Sequence, residues 1–336
     1  MKIDAGLIAA DLTQVPARAR EIEAQGFDGC VSAEIASDAF FPLLLAAEHT
    51  QRLELMTSIA VAFARSPMTL ANLGHDLNAF SKGRVLLGLG SQIQPHIVKR
   101  FSMPWSHPAP RMRELIQAMR AIWACWYQGE KLAFRGEFYT HTLMTPMFTP
   151  TNTQYGPPKL LLAAVGPKMT EVAGEVADGM IVHGFTTPKY VQEVTLPALE
   201  RGLAAAGRSR KSFQLACPVF VVTGRDAQEW ERNRGAVCKQ IAFYGSTPAY
   251  RGVLEQHGWG ALQGELNAMS KRGEWDAMGA RITDEMLEQF AIVAQPHEVP
   301  AQLKRRYGSS IDRVLATFAF SDDAQREKAL AELRSS

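Results

Sequence analysis

The chain has 336 residues, enough for one large α/β barrel or two smaller domains, so length alone leaves the domain count open. Its 36 Lys and Arg nearly balance 34 Asp and Glu, and the net charge of +2 excludes the strong positive field that selects nucleic acid or an anionic membrane. The four cysteines, Cys30, Cys125, Cys217 and Cys238, form no C-x-x-C pair, so neither a disulfide frame nor a zinc site is indicated and no metal is expected.

The start, MKIDAGLIAADLTQ, lacks the apolar core of a signal peptide, and no apolar run nears the roughly 18 residues that span a bilayer. The expectation is a cytoplasmic protein whose partner is a small-molecule substrate, with a homodimer left open. Ile3 to Ile8 reads as the first strand, and Pro16 to Gln25 as a helix that buries Ala19 and Ile22 and stops at Gly26. Cys30 to Ser32 is a second strand leading to Glu34, Phe40 to Thr50 a helix, and Leu53 to Ile59 a third strand. Pro67 opens a helix with Leu70, Leu73, Leu77 and Phe80 on one side, and Arg84 to Leu89 follows as a fourth strand. The loop from Gly90 to Pro110 is too long for an ordinary connection, which marks it as functional. Arg111 to Tyr127 is helical, and Lys131 to Thr140 reads as a small outer hairpin.

Pro157 to Gly184 is the clearest βαβ unit. Leu160 to Val165 is apolar on both faces, as a doubly buried parallel strand requires. Gly166 and Pro167 end it and start a helix whose Met169, Val172, Ala173 and Val176 share a face; Met180 to His183 is the returning strand. The turn leaves unpaired N–H groups at the helix start, where an anion such as phosphate is favoured by roughly 0.3–1 kcal/mol per charge. Any βα turn offers the same groups, so this feature alone does not decide. Helices at Tyr190 to Ala206 and Ala227 to Phe243 flank a seventh strand, Phe213 to Val222. The register is lost between Tyr244 and Thr283; a helix at Val299 to Arg306, an eighth strand at Ile311 to Phe318 and a helix at Asp323 to Leu333 complete the chain.

Eight strands alternating with helices, and no linker, predict a single (β/α)8 TIM barrel over residues 1–336, with insertions at about 91–110, 128–157 and 244–283. A doubly wound sheet is the alternative, but no topological switch point is visible. In a barrel the residues after each strand form one mouth: Glu34, Ser58, Ser91, Gln92, Val165, Gly166 and His183. Glu34 is either a general acid or base with a raised pKa or half of a structural salt bridge. His96 and His107 lie in the long loop, where they can hold substrate or pass a proton or simply be exposed. His183 ends the sixth strand and faces either mouth or wall. Gly88 and Gly90 lack the third glycine of a dinucleotide fingerprint and are expected to clear space for a ring system. Trp105, Trp259 and Trp275 are candidates for stacking on a ligand or for packing. Zinc-peptidase, P-loop and serine-hydrolase motifs are missing from the sequence, so demanding chemistry has to come from a bound cofactor.

The stretches MTSIAVAFARSP (56–67), SKGRVLLGLGSQ (81–92) and AAVGPKMTEVAGEVADG (163–179), in this order and spacing, resemble the bacterial luciferase-like family. SQIQPHIVKRFSMPW (91–105) resembles its branch dependent on the deazaflavin coenzyme F420. The resemblance implies an oxidoreductase exchanging hydride between coenzyme F420 and a small organic substrate. FMN, with oxygen as co-substrate, is the alternative cofactor, and a non-catalytic flavin- or deazaflavin-binding protein is the alternative of another class. It further implies a non-proline cis peptide at Ser58-Ile59 behind the middle ring and a phosphate turn at Gly166, Pro167, Lys168 and Met169; Gly90, Ser91, Gln92 and Val165, at the strand ends, are expected beside the cofactor. Glu34 stands where relatives often carry histidine; Glu34 or His96 is expected to handle the proton, and His183 is a further catalytic candidate.

Overall fold

The computed structural model describes residues 1–8, 11–316 and 323–335. Eight strands make up a ring: β1 Lys2–Gly6, β2 Gly29–Ser32, β3 Glu54–Thr57, β4 Val85–Gly90, β5 Lys159–Ala164, β6 Gly179–Val182, β7 Gln214–Val222 and β8 Arg313–Ala316. Each pairs in parallel with the next, and β8 pairs with both β7 and β1, which closes an α/β barrel. Strands this short and this uniformly apolar are stable only when helices cover their outer face. The cover is α1 Val15–Ala24, α2 Phe40–His49, α3 Pro67–Phe80, α4 Pro108–Gln128, α5 Pro167–Val176, α6 Leu196–Ala205, α7 Ala227–Gly245, α8 Val299–Tyr307 and α9 Asp323–Arg334. Proline sits in the first turn of α3, α4 and α5, where its missing N–H costs no hydrogen bond.

The Ser58-Ile59 peptide is cis, as the resemblance implies. Two details differ from the expected pattern. The third strand ends at Thr57, and the chain resumes as a short strand, Ala60–Val61, beside β4. A further strand, Ala291–Val293, pairs with the upper end of β7. Of the expected eighth strand, Thr317 and Phe318 lie outside the described residues.

Between α7 and that further strand lie four short helices, Arg251–Glu255, Gly260–Lys271, Trp275–Met278 and Asp284–Phe290. They share an apolar cluster with Phe185, Tyr190 and α7. A two-stranded ribbon, Phe134–Arg135 with Thr140–His141, is tied to α4 by Glu114, whose carboxylate accepts from the N–H groups of Glu137, Phe138 and Tyr139.

The N-terminal end of the barrel is closed by charge. Buried Arg313 pairs with buried Asp4 at 2.5 Å and with Glu54. Burial pushes the Asp4 carboxyl up to about 6 against the pull of Arg313, which leaves it ionised at neutral pH. Three more aspartates repeat one device: Asp28, Asp178 and Asp312 each stand next to the start of one strand and accept the N–H of Ile3, Leu160 or Leu215 on the neighbouring strand. Above this layer Val31, Met56, Leu86, Leu161, Ile181 and Ala216 fill the interior. The barrel is therefore packed through its middle, and a ligand has room only at its ends.

Candidate functional site at the barrel mouth

Side chains two apart on a strand share a face. Continuing the interior positions Val31, Met56, Leu86, Leu161, Ile181 and Ala216 by two residues gives an upper layer of Ala33, Ser58, Gly88, Ala163, His183 and Pro218. Four of these six are alanine, serine or glycine, and Ile59 packs on the same interior cluster, so the floor of the mouth is shallow and nearly apolar. His183 is its one titratable member.

The His183 ring lies between Tyr244, edge-on at 4.7 Å, and Tyr250 at 4.6 Å, while its Nδ1 accepts the backbone N–H of Phe185 at 3.0 Å. Burial alone pulls its pKa down to about 4, so the ring is neutral near pH 7. With Nδ1 accepting, the proton must be on Nε2. Tyr190 closes the same side, its hydroxyl 3.4 Å from the carbonyl of Val165.

On the opposite side Gly90, Ile59 and Ser58 meet. A Cβ built on Gly90 would come within 2.9 Å of the Ile59 side chain, and one on Gly88 within 1.9 Å of the Thr57 carbonyl. The space these glycines leave is thus taken by the protein itself, which corrects the expectation that they clear room for a ring system. Ser58 N–H donates to the carbonyl of Ser32, and Glu34 N–H to that of Ile59. Ser91 and Gln92 follow β4 at the rim, where Ser91 Oγ donates to the Gln92 carbonyl.

Glu34 does not point into the opening. Ala33 continues the inward face and Glu34 the outward one; the Glu34 carboxylate accepts from Val61 N–H at 2.8 Å and from Arg65 at 2.7 Å, and Arg65 also binds Asp38. Burial opposes the charge on Arg65, but its hydrogen bonds and attraction to Glu34 and Asp38 outweigh that and raise its pKa. Here Glu34 is the salt-bridge partner. His96 opens the exposed turn His96–Arg100, and His107 stands before α4 against Phe138, so the structure does not bring these two rings to His183.

The first turn of α5 is open. Space for at least 4 Å surrounds the Cβ position of Gly166, and the amides of Lys168 and Met169 lie in the helix turn that has no intrahelical acceptor. Val165 and Gly166 follow directly from β5, whose Ala164 is in register with Val182 of β6, so the open turn and His183 are neighbours.

The tryptophans pack: Trp105 on Phe63, Trp259 on His257 and Trp275 beside Phe243. The aromatic residues that do surround the site are Tyr190, Tyr244 and Tyr250. The latter two lie where the sequence periodicity breaks down, Tyr244 in the last turn of α7 and Tyr250 just after it.

A second cleft, of about 670 Å3, lies at the N-terminal end among Lys159, Asp178, Arg210, Lys211, Gln214 and Asp312. Asp178 and Asp312 are already engaged by backbone N–H groups and arginines there. Among the described residues no group of His, Cys, Asp and Glu is placed to hold a metal ion, and no helix is long and apolar enough to cross a membrane.

Residues 2–313 match the sequence profile of the luciferase-like monooxygenases. The chain belongs to that family of enzymes. This luciferase-like chain is 54% identical to the uncharacterized protein Rv1360 of Mycobacterium tuberculosis, over 99% of its own length and 98% of the relative's. It is 26% identical to the 5,10-methylenetetrahydromethanopterin reductase of Archaeoglobus fulgidus, over 84% and 82% of the two chains. The coenzyme F420-dependent tetrahydromethanopterin reductase of Methanopyrus kandleri has the same fold, with a TM-score of 0.78, 21% identity and coverage of 99% and 96%.

Proposed function

We propose that this luciferase-like enzyme binds a deazaflavin, coenzyme F420, across the barrel mouth and serves hydride exchange with a small organic substrate. The observation that carries this reading is the open helix start at Gly166, beside a floor of small side chains. A phosphate on Gly166, Pro167, Lys168 and Met169 gains the two free amides and the positive end of a ten-residue helix. The shallow floor suits a flat tricyclic ring, backed by Ser58 and Ile59 and flanked by Gly90, Ser91, Gln92 and Val165. When bound, the deazaflavin supplies a carbon centre that gives and takes hydride. The rest falls to the chain: the tyrosines exclude water, Glu34 and Arg65 brace the segment after Ile59, and His183 faces the substrate, with His96 left to the rim. The named cofactor of the Methanopyrus relative agrees with this choice.

Purified protein titrated side by side with coenzyme F420 and with FMN, followed by absorbance and fluorescence, tests the reading. Tight binding of the deazaflavin and weak binding of FMN is the expected result. Tight FMN binding without deazaflavin binding would replace it with the oxygen-dependent reading, and saturation by neither would remove the phosphate turn from consideration.

A further inference from the structure

Among the described residues His183 is the one titratable member of the upper layer, and its surroundings decide what it can do. Ile181 is part of the interior layer, so His183, two residues on, projects from the same face toward the mouth. The Phe185 N–H occupies Nδ1, which fixes the tautomer with hydrogen on Nε2. The groups packed against the ring are the phenols of Tyr244 and Tyr250, both of which burial holds in their neutral form, and no charged group contributes to the titration of His183. Among the described residues Nε2 has no hydrogen-bond partner, and it is not one of the buried polar atoms left unpaired.

We infer that His183 presents a single neutral N–H donor to the substrate, and that the substrate is held there through an acceptor oxygen, as a ketone carbonyl offers. This deepens the oxidoreductase reading and rests on it for placing the substrate at the mouth. A neutral imidazole N–H is a poor acid at pH 7 but a good hydrogen-bond donor, so His183 polarises and orients a C=O group and does not shuttle protons. The same geometry disfavours cations: a protonated amine would meet a donor instead of an acceptor, and among the described residues the inward face of the mouth carries no carboxylate.

The test uses the full chain with 15N-labelled histidine, the His183 signals being assigned by their loss in His183→Phe. The expected spectrum has the Nε2–H tautomer, unchanged from about pH 8 to 5. Cyclohexanone or acetophenone should shift the Nε2–H signal, whereas cyclohexylammonium should not. His183→Phe should weaken ketone binding about tenfold by calorimetry, and His183→Gln, which keeps an N–H donor, should restore part of it. An Nδ1–H tautomer, titration near the ordinary histidine pKa, no response to either ketone, or an equal response to the ammonium overturns the inference. Because these readouts need no cofactor, failure of the deazaflavin titration with a ketone-responsive Nε2–H would sink only the cofactor assignment. Deazaflavin binding with a normally titrating His183 would sink only this one.

Discussion

Arg313, Asp4 and Glu54 close one end of the barrel with interlocked charge, whereas His183 stands over the other end among Ala33, Ser58, Gly88 and Ala163. Both ends are desolvated, yet the chain answers desolvation differently. At the N-terminal end each buried charge is met by an opposite one, so the pair persists and the strands are held in register. At the mouth the ionisable group has no counter-charge and gives up its proton instead. Paired charge holds the structure; the mouth is left with an uncharged ring whose Nε2 has no partner among the described residues.

Breaking the closed end should have the largest effect. Arg313→Met leaves Asp4 and part of Glu54 buried without their cation, and should cost about 3–5 kcal/mol in urea denaturation. Combining it with Asp4→Leu should recover part of the loss, because the orphaned carboxylate is then gone. Recovery of nothing would mean that Arg313 acts through packing alone.

The second effect is a pH dependence located at the mouth. The His183 pKa is depressed from its ordinary 6.5 to about 4, so its contribution to stability is complete above about pH 6.5 and is lost as pH falls toward 4. The unfolded chain binds the extra proton across that window, which makes stability rise with pH there by up to about 3 kcal/mol. Because His75, His141 and His257 are shifted the same way by burial, the quantity to measure is the difference in unfolding free energy between wild type and His183→Gln. A difference that stays flat from about pH 7 to 4 would remove His183 from the buried, neutral class.

Next comes the wall. Glu34→Gln removes the charge from hydrogen bonds to Val61 N–H and Arg65, and should lower stability by about 1.5–3 kcal/mol. Thermal unfolding checks this. A variant of unchanged stability that loses turnover would return Glu34 to a chemical role.

These contrasts also explain which parts were legible in the sequence. The strands and most helices could be read because apolar runs such as Leu160 to Val165 and caps such as Gly166-Pro167 act locally. The orientation of Glu34 could not, since it depends on a cation thirty-one residues away at Arg65 and on the β2 pleat continuing past Ser32. His183 was visible as a strand end, but its neutral state depends on Tyr244 and Tyr250, from a stretch with no helical period. The roles of Gly88 and Gly90 were obscured for a related reason: Thr57 and Ile59, which fill the space beside them, arrive from the neighbouring strand and its cis turn.

The smallest effect on stability belongs to the position where the binding effect should be clear. Gly166 has φ −87° and open space at its Cβ position, so a side chain there meets neither backbone strain nor a steric neighbour. Gly166→Trp should therefore change unfolding free energy by no more than about 0.5 kcal/mol. The indole would nevertheless lie over the amides of Lys168 and Met169, excluding an anion from the helix start and weakening deazaflavin binding about tenfold or more. Gly166→Ala separates bulk from the loss of glycine: its small methyl group should leave the affinity close to that of wild type. If both variants fold and both bind as tightly as wild type, the phosphate is held elsewhere. The N-terminal cleft, with Lys159 and Lys211 at its edge, then becomes the next place to look.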